Sequence, residues 1–299
     1  MTNDDEPPVV PFETWLENPI PLLNVVDPAL PGYYIPLDEL SARTFELPPR
    51  TEPLAVLYNH TNNNTDQDWT TLQSILGVTP TGRTSQRLPW KVVYRLHSNS
   101  LLLCTNDPLP TPRLWQPDAL IRNHLVPLLQ ARSQTIGQPQ IIWDLGAGFG
   151  RDAVYVAQHV PQAHVVAWDH RYRRDAATTV HFGRRHGVEL DCRGVHLPQT
   201  LPDDVSNVSC IYAVRYWNAT LWRDLAERAS PGTLLALSHF GKATPDSDWP
   251  HSHPKVVLER HQVTELLQAA TPHWTILLDQ VVTDSDHGRT LLQCIALRR

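Results

Sequence analysis

The sequence predicts an α/β protein with two domains, of which the second is built on a doubly wound and mainly parallel sheet. The first observation is an apolar run at Ile141–Trp143, which ends in Asp144 and is followed by a glycine-rich loop. The second is the alternation of strand-like and helix-like segments from there onward. The third is the pair of final strand-like runs, 274–283 and 290–297. Their six-residue connection is too short for a helix, so the two strands must be antiparallel.

The composition is that of an ordinary globular protein and weighs against several classes. The 299 residues are 41% hydrophobic and 19% charged, and the length suits two domains of about 150 residues. The net charge of −6 gives no strong nucleic-acid signal, because a phosphate backbone attracts a basic surface. No apolar leader or bilayer-length apolar run occurs, so we expect no membrane partner and a cytoplasmic, or alternatively nuclear, location. The four cysteines are far apart, which indicates reduced thiols.

The first third of the chain predicts a smaller α/β domain over residues 1–100. Strands are expected at 21–27, 54–58 and 88–97, and helices are expected at 38–43 and 68–77. Prolines at alternate positions, Pro108, Pro110 and Pro112, indicate a linker over 101–112. Residues 113–299 then form the second domain.

One segment of this first domain, Leu30–Leu40 with the sequence LPGYYIPLDEL, resembles a motif of the rhodanese family. Active rhodaneses carry a persulfide-forming cysteine in the loop after the next strand. Here Asn59 follows Tyr58 and the loop contains no cysteine, although sulfur transfer requires a thiolate nucleophile. The resemblance therefore implies a degenerate domain, without sulfurtransferase activity, that binds or scaffolds a protein partner. The alternative is a small α/β domain unrelated to that family.

The second domain is expected to begin with a helix at 119–132, for which Asp118 is the candidate N-cap. Beyond the central strand, further strands are expected at 164–168, 188–193, 207–214 and 234–240, and helices at 151–159, 173–186, 219–229 and 258–270. With the terminal hairpin, this order predicts a doubly wound sheet with one reversed strand at its edge.

The glycine loop after the central strand carries the functional signal. Glycine lets the backbone turn sharply and approach a ligand closely. A second apolar run ends in Asp169, at the position where a carboxylate can accept both hydroxyls of a ribose. A dinucleotide site would use the spacing G-x-G-x-x-G. Here the glycines are Gly146, Gly148 and Gly150, and Asp144 before them would repel a pyrophosphate.

The loop Asp144–Gly150 together with Asp169 resembles the cofactor motif of class I S-adenosylmethionine-dependent methyltransferases. The resemblance covers about residues 113–299 and is nearest to the tellurite-resistance-type branch. It implies a Rossmann-like sheet, S-adenosyl-L-methionine as cofactor, and Asp144 facing its cationic amino-acid end. Arg193 and Gly194 are expected to flank the adenine. The cofactor-binding residues so implied are Asp144, Gly146, Ala147, Gly148, Gly150, Asp169, His170, Arg193, Gly194 and Val214.

The methyl acceptor is expected beyond the fourth and fifth strands of this sheet, where His239 and Tyr216 are candidate catalytic bases. Each is as easily a packing residue. The acidic and histidine residues of loop 244–255 are interpreted as a solvated loop, so we predict no metal site. The segment after the fourth strand lacks the motifs typical of adenine, glutamine or cytosine C5 methylation. The acceptor therefore remains open among a small molecule, a protein and an RNA.

The sequence thus predicts an S-adenosylmethionine-dependent methyltransferase with an unidentified acceptor and an N-terminal domain for binding or scaffolding. The alternative is a non-catalytic cofactor-binding or adaptor protein. It is motivated by the degenerate first domain and by the lack of a decisive acceptor motif.

Overall fold

The computed structural model describes residues 7–10, 15, 20–28, 30, 32–50, 52–58, 65–77, 90–97, 113–136, 139–197, 205–242, 257–270, 274–283 and 289–299. Among them, the residues up to Gln116 form one compact unit and those from Pro117 onward form a second. No helix within these ranges is long and apolar enough to cross a membrane.

The first unit contains an all-parallel sheet of four strands in the order β2-β1-β3-β4. The central strand β3 is apolar along its length, as expected for a parallel strand covered on both faces. Its elements are β1 Leu22–Asn24, β2 Tyr33–Tyr34, a 3₁₀ turn Thr44–Glu46, β3 Pro53–Tyr58, α1 Thr65–Leu76 and β4 Lys91–His97.

The helix predicted at 38–43 is wrong. That segment forms consecutive turns that lead into the 3₁₀ turn at Thr44–Glu46. A short isolated helix is marginal, and here a buried polar group determines the path instead. Arg43 Nε lies 2.8 Å from Glu46 Oε1, and the Tyr33 hydroxyl donates to Glu46 Oε2 at 2.7 Å. Glu46 is fully buried, so these partners compensate a charge that would otherwise be costly to bury.

The second unit alternates strands and helices as the sequence predicts. A π-helical turn at Ile121–Leu125 leads into its first helix. The elements are α2 Val126–Ile136, β5 Gln140–Leu145, α3 Arg151–His159, β6 Ala163–Asp169, α4 Ala177–Arg185, β7 Asp191–Gly194, β8 Val208–Val214, α5 Ala219–Arg228, β9 Leu234–Phe240, α6 Gln262–Ala270, β10 Trp274–Thr283 and β11 Thr290–Arg298.

These strands form a seven-stranded sheet in the order β10-β11-β9-β8-β5-β6-β7. β11 is antiparallel to both of its neighbours, and the other paired strands are parallel, so the α/β class with a parallel-dominated sheet is confirmed. The prediction that the reversed strand lies at the edge is wrong, because β11 is inside the sheet and β10 is the edge strand. The burial explains this: β11 is nearly continuously buried, whereas alternate residues of β10 are exposed.

Two helices start later than their apolar pattern predicts. The segment His170–Arg173 forms a 3₁₀ turn after β6, and Asp175 then accepts the backbone N–H of Thr178 near the start of α4. Likewise, Leu258 makes a bridge to Gly241 before α6 begins. In both places a local polar or strand contact takes the residues that the apolar pattern assigns to a helix.

A core cluster lies against one face of this sheet, and it fixes the strand ends that carry the site. Trp222 of α5 is 1% exposed and packs in this cluster with side chains from β5, β6, β8, β9 and β11. Trp143 and Trp168 meet edge to face with ring centroids 5.3 Å apart, which joins β5 to β6. Asp144 and Asp169 directly follow these tryptophans in the sequence, so rigid strands set their backbone positions.

Candidate functional site

The candidate site lies beyond the carboxyl ends of β5, β6, β7 and β8, where parallel strands bring their following loops together. The glycine loop follows β5, and the 3₁₀ turn follows β6. Tyr216 comes from the segment after β8 and packs on the glycine loop. The sheet therefore assembles three separate parts of the sequence at one edge.

All three glycines of the loop have the left-handed conformation, with φ of +75°, +59° and +77° at Gly146, Gly148 and Gly150. A Cβ added to Gly146 would lie 2.7 Å from the Tyr216 Cβ, so the loop also needs glycine there for space. A Cβ at Gly148 would meet nothing within 4 Å, so the backbone at the loop's tip faces open space. The glycine pattern is thus required by backbone conformation and by the close approach of Tyr216.

Most of the loop's backbone amides are already bonded to the protein. Gly146 N and Ala147 N both donate to the Trp168 carbonyl, at 2.8 and 3.1 Å. Gly148 N donates to Asp169 Oδ2 at 2.8 Å, and Gly150 N donates to the Ala147 carbonyl at 2.9 Å. A backbone nest binds phosphate through successive N–H groups that have no other acceptor. This loop is closed onto β6 instead.

Asp169 is the residue that ties the loop to β6 and the 3₁₀ turn. It is 6% exposed, and its Oδ1 accepts the N–H of Arg171 at 2.8 Å while its Oδ2 accepts that of Gly148. His170 Nδ1 lies 3.1 Å from Asp169 Oδ1, and the His170 side chain is exposed. A carboxylate oxygen has two acceptor sites, so Oδ2 of Asp169 can still accept a ligand hydroxyl, and Oδ1 can do so where His170 does not donate to it.

Asp144 is the penultimate residue of β5 and carries a deeply buried carboxyl group. It is 2% exposed, and its Oδ2 has no hydrogen-bond partner among the described residues. Burial raises the pKa of Asp144 well above its ordinary value, and the nearby carboxylates of Asp152 and Asp169 raise it further, whereas Tyr212 acts in the opposite direction. Asp144 therefore holds its proton more tightly than an exposed carboxyl group does, and a cationic ligand would favour the charged form.

Asp152 lies near Asp144, and Asp118 lies next to Asp152, although sequence analysis assigned a functional role to neither. The backbone N–H of Asp118 donates to Asp152 Oδ1 at 2.7 Å. The Asp118 carboxylate accepts the Ser238 hydroxyl at 3.1 Å and caps the helix by accepting the N–H of Leu120. Burial and the Asp118 charge raise the pKa of Asp152 to about 6. Only the i+8 spacing of Asp144 and Asp152 across the loop could have suggested this pair.

The raised pKa of Asp152 predicts a pH dependence of stability. The folded protein holds this proton more tightly than the unfolded chain, where the pKa is near 3.8. The stabilisation is therefore complete below about pH 4 and is lost as the pH rises to about 6, by at most about 3 kcal/mol. Residual exposure of the side chain reduces that figure. Urea unfolding from pH 4 to 8 should show a smaller decline for Asp152→Asn, which keeps the Oδ1 acceptor. An unchanged slope would contradict this assignment.

A cavity of about 730 Å³ opens beside the glycine loop. Its volume is within the range of small-molecule sites. It is bounded by the loop's tip, the 3₁₀ turn, the start of α4 and the segment after β7, and its lining includes Gly148, Phe149, His170, Arg171, Tyr172, Thr178 and His196. Among the residues predicted to bind a cofactor, Gly148 and His170 line this cavity.

Arg193, Gly194 and Val214 have local roles that the sequence did not predict. The Arg193 guanidinium pairs with Asp191 at 2.6 Å and lies over the Trp168 ring. A Cβ on Gly194 would be 2.5 Å from Arg173 N, so this glycine lets β7 approach the 3₁₀ turn. That side of Gly194 is therefore filled by protein and not by an adenine. Val214 ends β8 opposite Ser238.

The two candidate bases differ in their surroundings. Burial, and then the Asp169 charge, raises the pKa of Tyr216, so its phenolate is scarcer at neutral pH. This argues against a base and for a packing role over Gly146. His239 is 5% exposed in β9, and its side chain points to the face opposite the neighbouring Ser238, which bonds Asp118. Tyr216 thus contacts the glycine loop, whereas His239 lies in the strand beside it.

Several predictions fall outside the described residues. These are the polar loop after β3 that begins at Asn59, the linker over 101–112 and the loop at 244–255. Within the described ranges, no three His, Cys, Asp or Glu side chains are grouped so that they could hold a metal ion. The described cysteines Cys192, Cys210 and Cys294 are not in disulfides. Burial raises the pKa of Cys210 and Cys294, so neither is a reactive thiolate.

Comparison with known proteins finds similarity only among solved structures. No family model and no curated protein sequence matches this chain. TehB from Haemophilus influenzae is 15% identical with a TM-score of 0.44, over 58% of this chain and 62% of TehB. The cyclase SpnF is 16% identical with a TM-score of 0.45, over 62% of this chain and 85% of that one.

A third similar structure is a Burkholderia thailandensis 1,6-didemethyltoxoflavin-N1-methyltransferase with bound 1,6-didemethyltoxoflavin and S-adenosylhomocysteine. It is 18% identical with a TM-score of 0.42, over 60% of this chain and 81% of that one. At such identities and TM-scores, the similarity does not indicate which molecules this chain binds. The matched region spans less than two thirds of TehB.

Proposed function

We propose that the second unit is an S-adenosylmethionine-dependent methyltransferase with an unidentified acceptor. The observation that carries the proposal is the buried Asp144 carboxyl group, whose Oδ2 lacks a partner among the described residues. A cationic group placed against it would compensate its charge, and the amino-acid end of S-adenosylmethionine supplies an ammonium. A pyrophosphate in the same place would be repelled by the ionised carboxylate and would raise the pKa of Asp144 further.

The state of the loop amides supports a sulfonium cofactor over a dinucleotide. Gly146, Ala147, Gly148 and Gly150 already donate their N–H groups to β6, to Asp169 or within the loop. A pyrophosphate would have to break these bonds, and each broken bond to a buried acceptor costs about 1 kcal/mol or more. A nucleoside whose ribose hydroxyls bond Asp169 leaves them in place.

When bound, this cofactor would supply an electrophilic methyl group for in-line displacement. Such a reaction needs a positioned acceptor and does not need a covalent nucleophile. Tyr216 belongs to the segment after β8 and packs on Gly146, at the edge of the sheet where an acceptor can approach. The residues of this chain would therefore contribute by orienting both partners and by excluding water.

For the first unit, we propose a binding or scaffolding role without sulfur transfer, as its resemblance to rhodaneses implies. The loop after β3 lacks cysteine, and Cys104 is the single cysteine before residue 117. Its parallel sheet and buried Glu46–Arg43 pair are compatible with a stable recognition domain. Release of thiocyanate from thiosulfate and cyanide by the purified protein would contradict this part of the proposal.

The test of cofactor binding is titration calorimetry with S-adenosylhomocysteine and S-adenosylmethionine. We expect binding by the wild type and at least a tenfold weaker affinity for Asp144→Asn, which keeps the shape and removes the charge. Asp224→Asn, in an exposed pair with Arg228 on α5, is the matched control and should bind as the wild type does. Failure of the folded wild type to bind either ligand would refute the proposal.

Transfer is tested separately with radiolabelled S-adenosylmethionine and a lysate divided into protein, RNA and small-molecule fractions. We expect label in one fraction and none with Asp144→Asn. Binding without label in any fraction would favour the alternative, a non-catalytic cofactor-binding protein.

A further inference from the structure

The cavity beside the glycine loop has a charge that the proposed cofactor does not explain. His170, Arg171, Arg173, Arg174 and His196 all line it, and Asp175 is the acidic residue in its lining. S-adenosylmethionine carries two positive groups and one negative group, so it offers little to attract such a rim. The cationic side chains instead favour a ligand with negative charge.

The acidic residue of this lining is already engaged. Asp175 accepts the backbone N–H and the hydroxyl of Thr178, and the hydroxyl bond holds the pKa of Asp175 below its ordinary value. The side chain of Asp175 is exposed, and its carboxylate is bonded to the first turn of α4. Arg173 and Arg174 are exposed and make no ion pair with a described residue. The lining therefore sets three guanidinium groups against one carboxylate, so it keeps a net positive charge.

The dipole of α4 and a cation–π contact add to the positive potential in the cavity. The nine-residue helix α4 begins at the cavity wall, where Thr178 and Thr179 lie in its first turn, so the positive end of its dipole is there. The Arg171 guanidinium lies 4.8 Å from the centre of the Phe149 ring, which holds its charge at the loop's tip. Gly148 opens into the same space.

From this cavity we propose a phosphate-binding site formed by Arg171, Arg173, Arg174 and the start of α4, which takes a nucleotide-sized ligand carrying a phosphate monoester. Arginine suits this group because its fork of N–H donors matches phosphate oxygens. The volume admits a mononucleotide. The phosphate is held by side chains, since the loop amides are occupied. The same chemistry could come from a free nucleotide or from the 5′ end of an RNA strand. The site does not depend on methyl transfer.

The experiment is fluorescence or calorimetric titration of the full chain with adenosine 5′-monophosphate and with adenosine. A second pair of probes is a short oligoribonucleotide with a 5′-phosphate and the same strand with a 5′-hydroxyl. We expect a phosphorylated probe to bind at least tenfold more tightly than its unphosphorylated counterpart, with an affinity that falls as salt rises. A preference seen only in the oligonucleotide pair assigns the phosphate to an RNA end.

The double variant Arg173→Gln/Arg174→Gln should abolish that preference. Its matched control is Arg184→Gln/Arg185→Gln, which removes the same charge from the far end of α4, outside the cavity lining, and should leave the preference intact. Equal binding of phosphorylated and unphosphorylated probes, or equal loss in both double variants, would overturn the proposal. S-adenosylhomocysteine titration of the same variants separates this outcome from a failure of cofactor binding, which depends on Asp144 and Asp169.

Discussion

Replacing Asp169 by alanine should weaken S-adenosylhomocysteine binding by more than 100-fold. Its carboxylate accepts the N–H groups of Gly148 and Arg171, both at 2.8 Å, and can still accept ribose hydroxyls. Hydrogen bonds to a charged acceptor contribute about 1.5–3 kcal/mol each, so losing the ribose contacts and the anchored loop together costs about 3 kcal/mol or more. Titration calorimetry measures the change.

Two further variants separate binding from folding. Asp169→Asn keeps one acceptor oxygen and the shape of the side chain, so it should remain folded and bind with intermediate affinity. Asp175→Ala removes the acceptor of the Thr178 N–H at the start of α4 and should lower stability slightly, without changing the affinity for S-adenosylhomocysteine more than about threefold. If Asp169→Ala binds as the wild type does, the ribose role of Asp169 is wrong.

The second large effect is expected for Gly146→Ala. The residue has φ +75°, which costs a non-glycine residue about 1–2 kcal/mol, and the added Cβ would lie 2.7 Å from Tyr216 Cβ. The backbone of residue 146 cannot shift away at low cost, because its N–H is bonded to the Trp168 carbonyl. We expect the free energy of unfolding to fall by about 3 kcal/mol and S-adenosylhomocysteine binding to be lost.

Gly187→Ala is the matched control for backbone strain. Gly187 has φ +74° after α4, but a Cβ there would meet nothing within 4 Å. It should lower the free energy of unfolding by about 1 kcal/mol and leave the affinity unchanged. Chemical denaturation gives the stability of both variants. Similar losses for the two would show that the close approach of Tyr216 has no effect.

Much of the second unit could be predicted because its signals are local. Asp144 and Asp169 lie at the ends of their strands, and the glycines follow the first of them. Parallel strands bring such ends together without further information. The strand bounds at β9 and β10 agree with the apolar pattern. The same pattern failed at 173–176, because the 3₁₀ turn that Asp169 starts extends to Arg173 and α4 begins only at Ala177.

What the sequence could not reveal depends on contacts between distant residues. Asp118 and Asp152 are 34 positions apart, and Ser238 is 120 positions from Asp118, so no window of sequence contains this polar group. The approach of Tyr216 to Gly146 is equally non-local. The use of the loop amides by β6 is also invisible in the spacing of glycines, although the proposed preference for a nucleoside cofactor over a dinucleotide rests on it.

The position of β11 inside the sheet has a kinetic consequence. Within the described part of the chain, β10 is hydrogen-bonded in the sheet to β11, and β11 pairs with β9 on its other side. β10 and β11 are close in sequence and can form a hairpin quickly, whereas closing β11 against β9 spans about 55 residues and is slower. The hairpin should therefore dock onto β9 as a preformed unit. Until it does, the long edge of β9 is open to another chain, which makes this step the one most exposed to aggregation during folding.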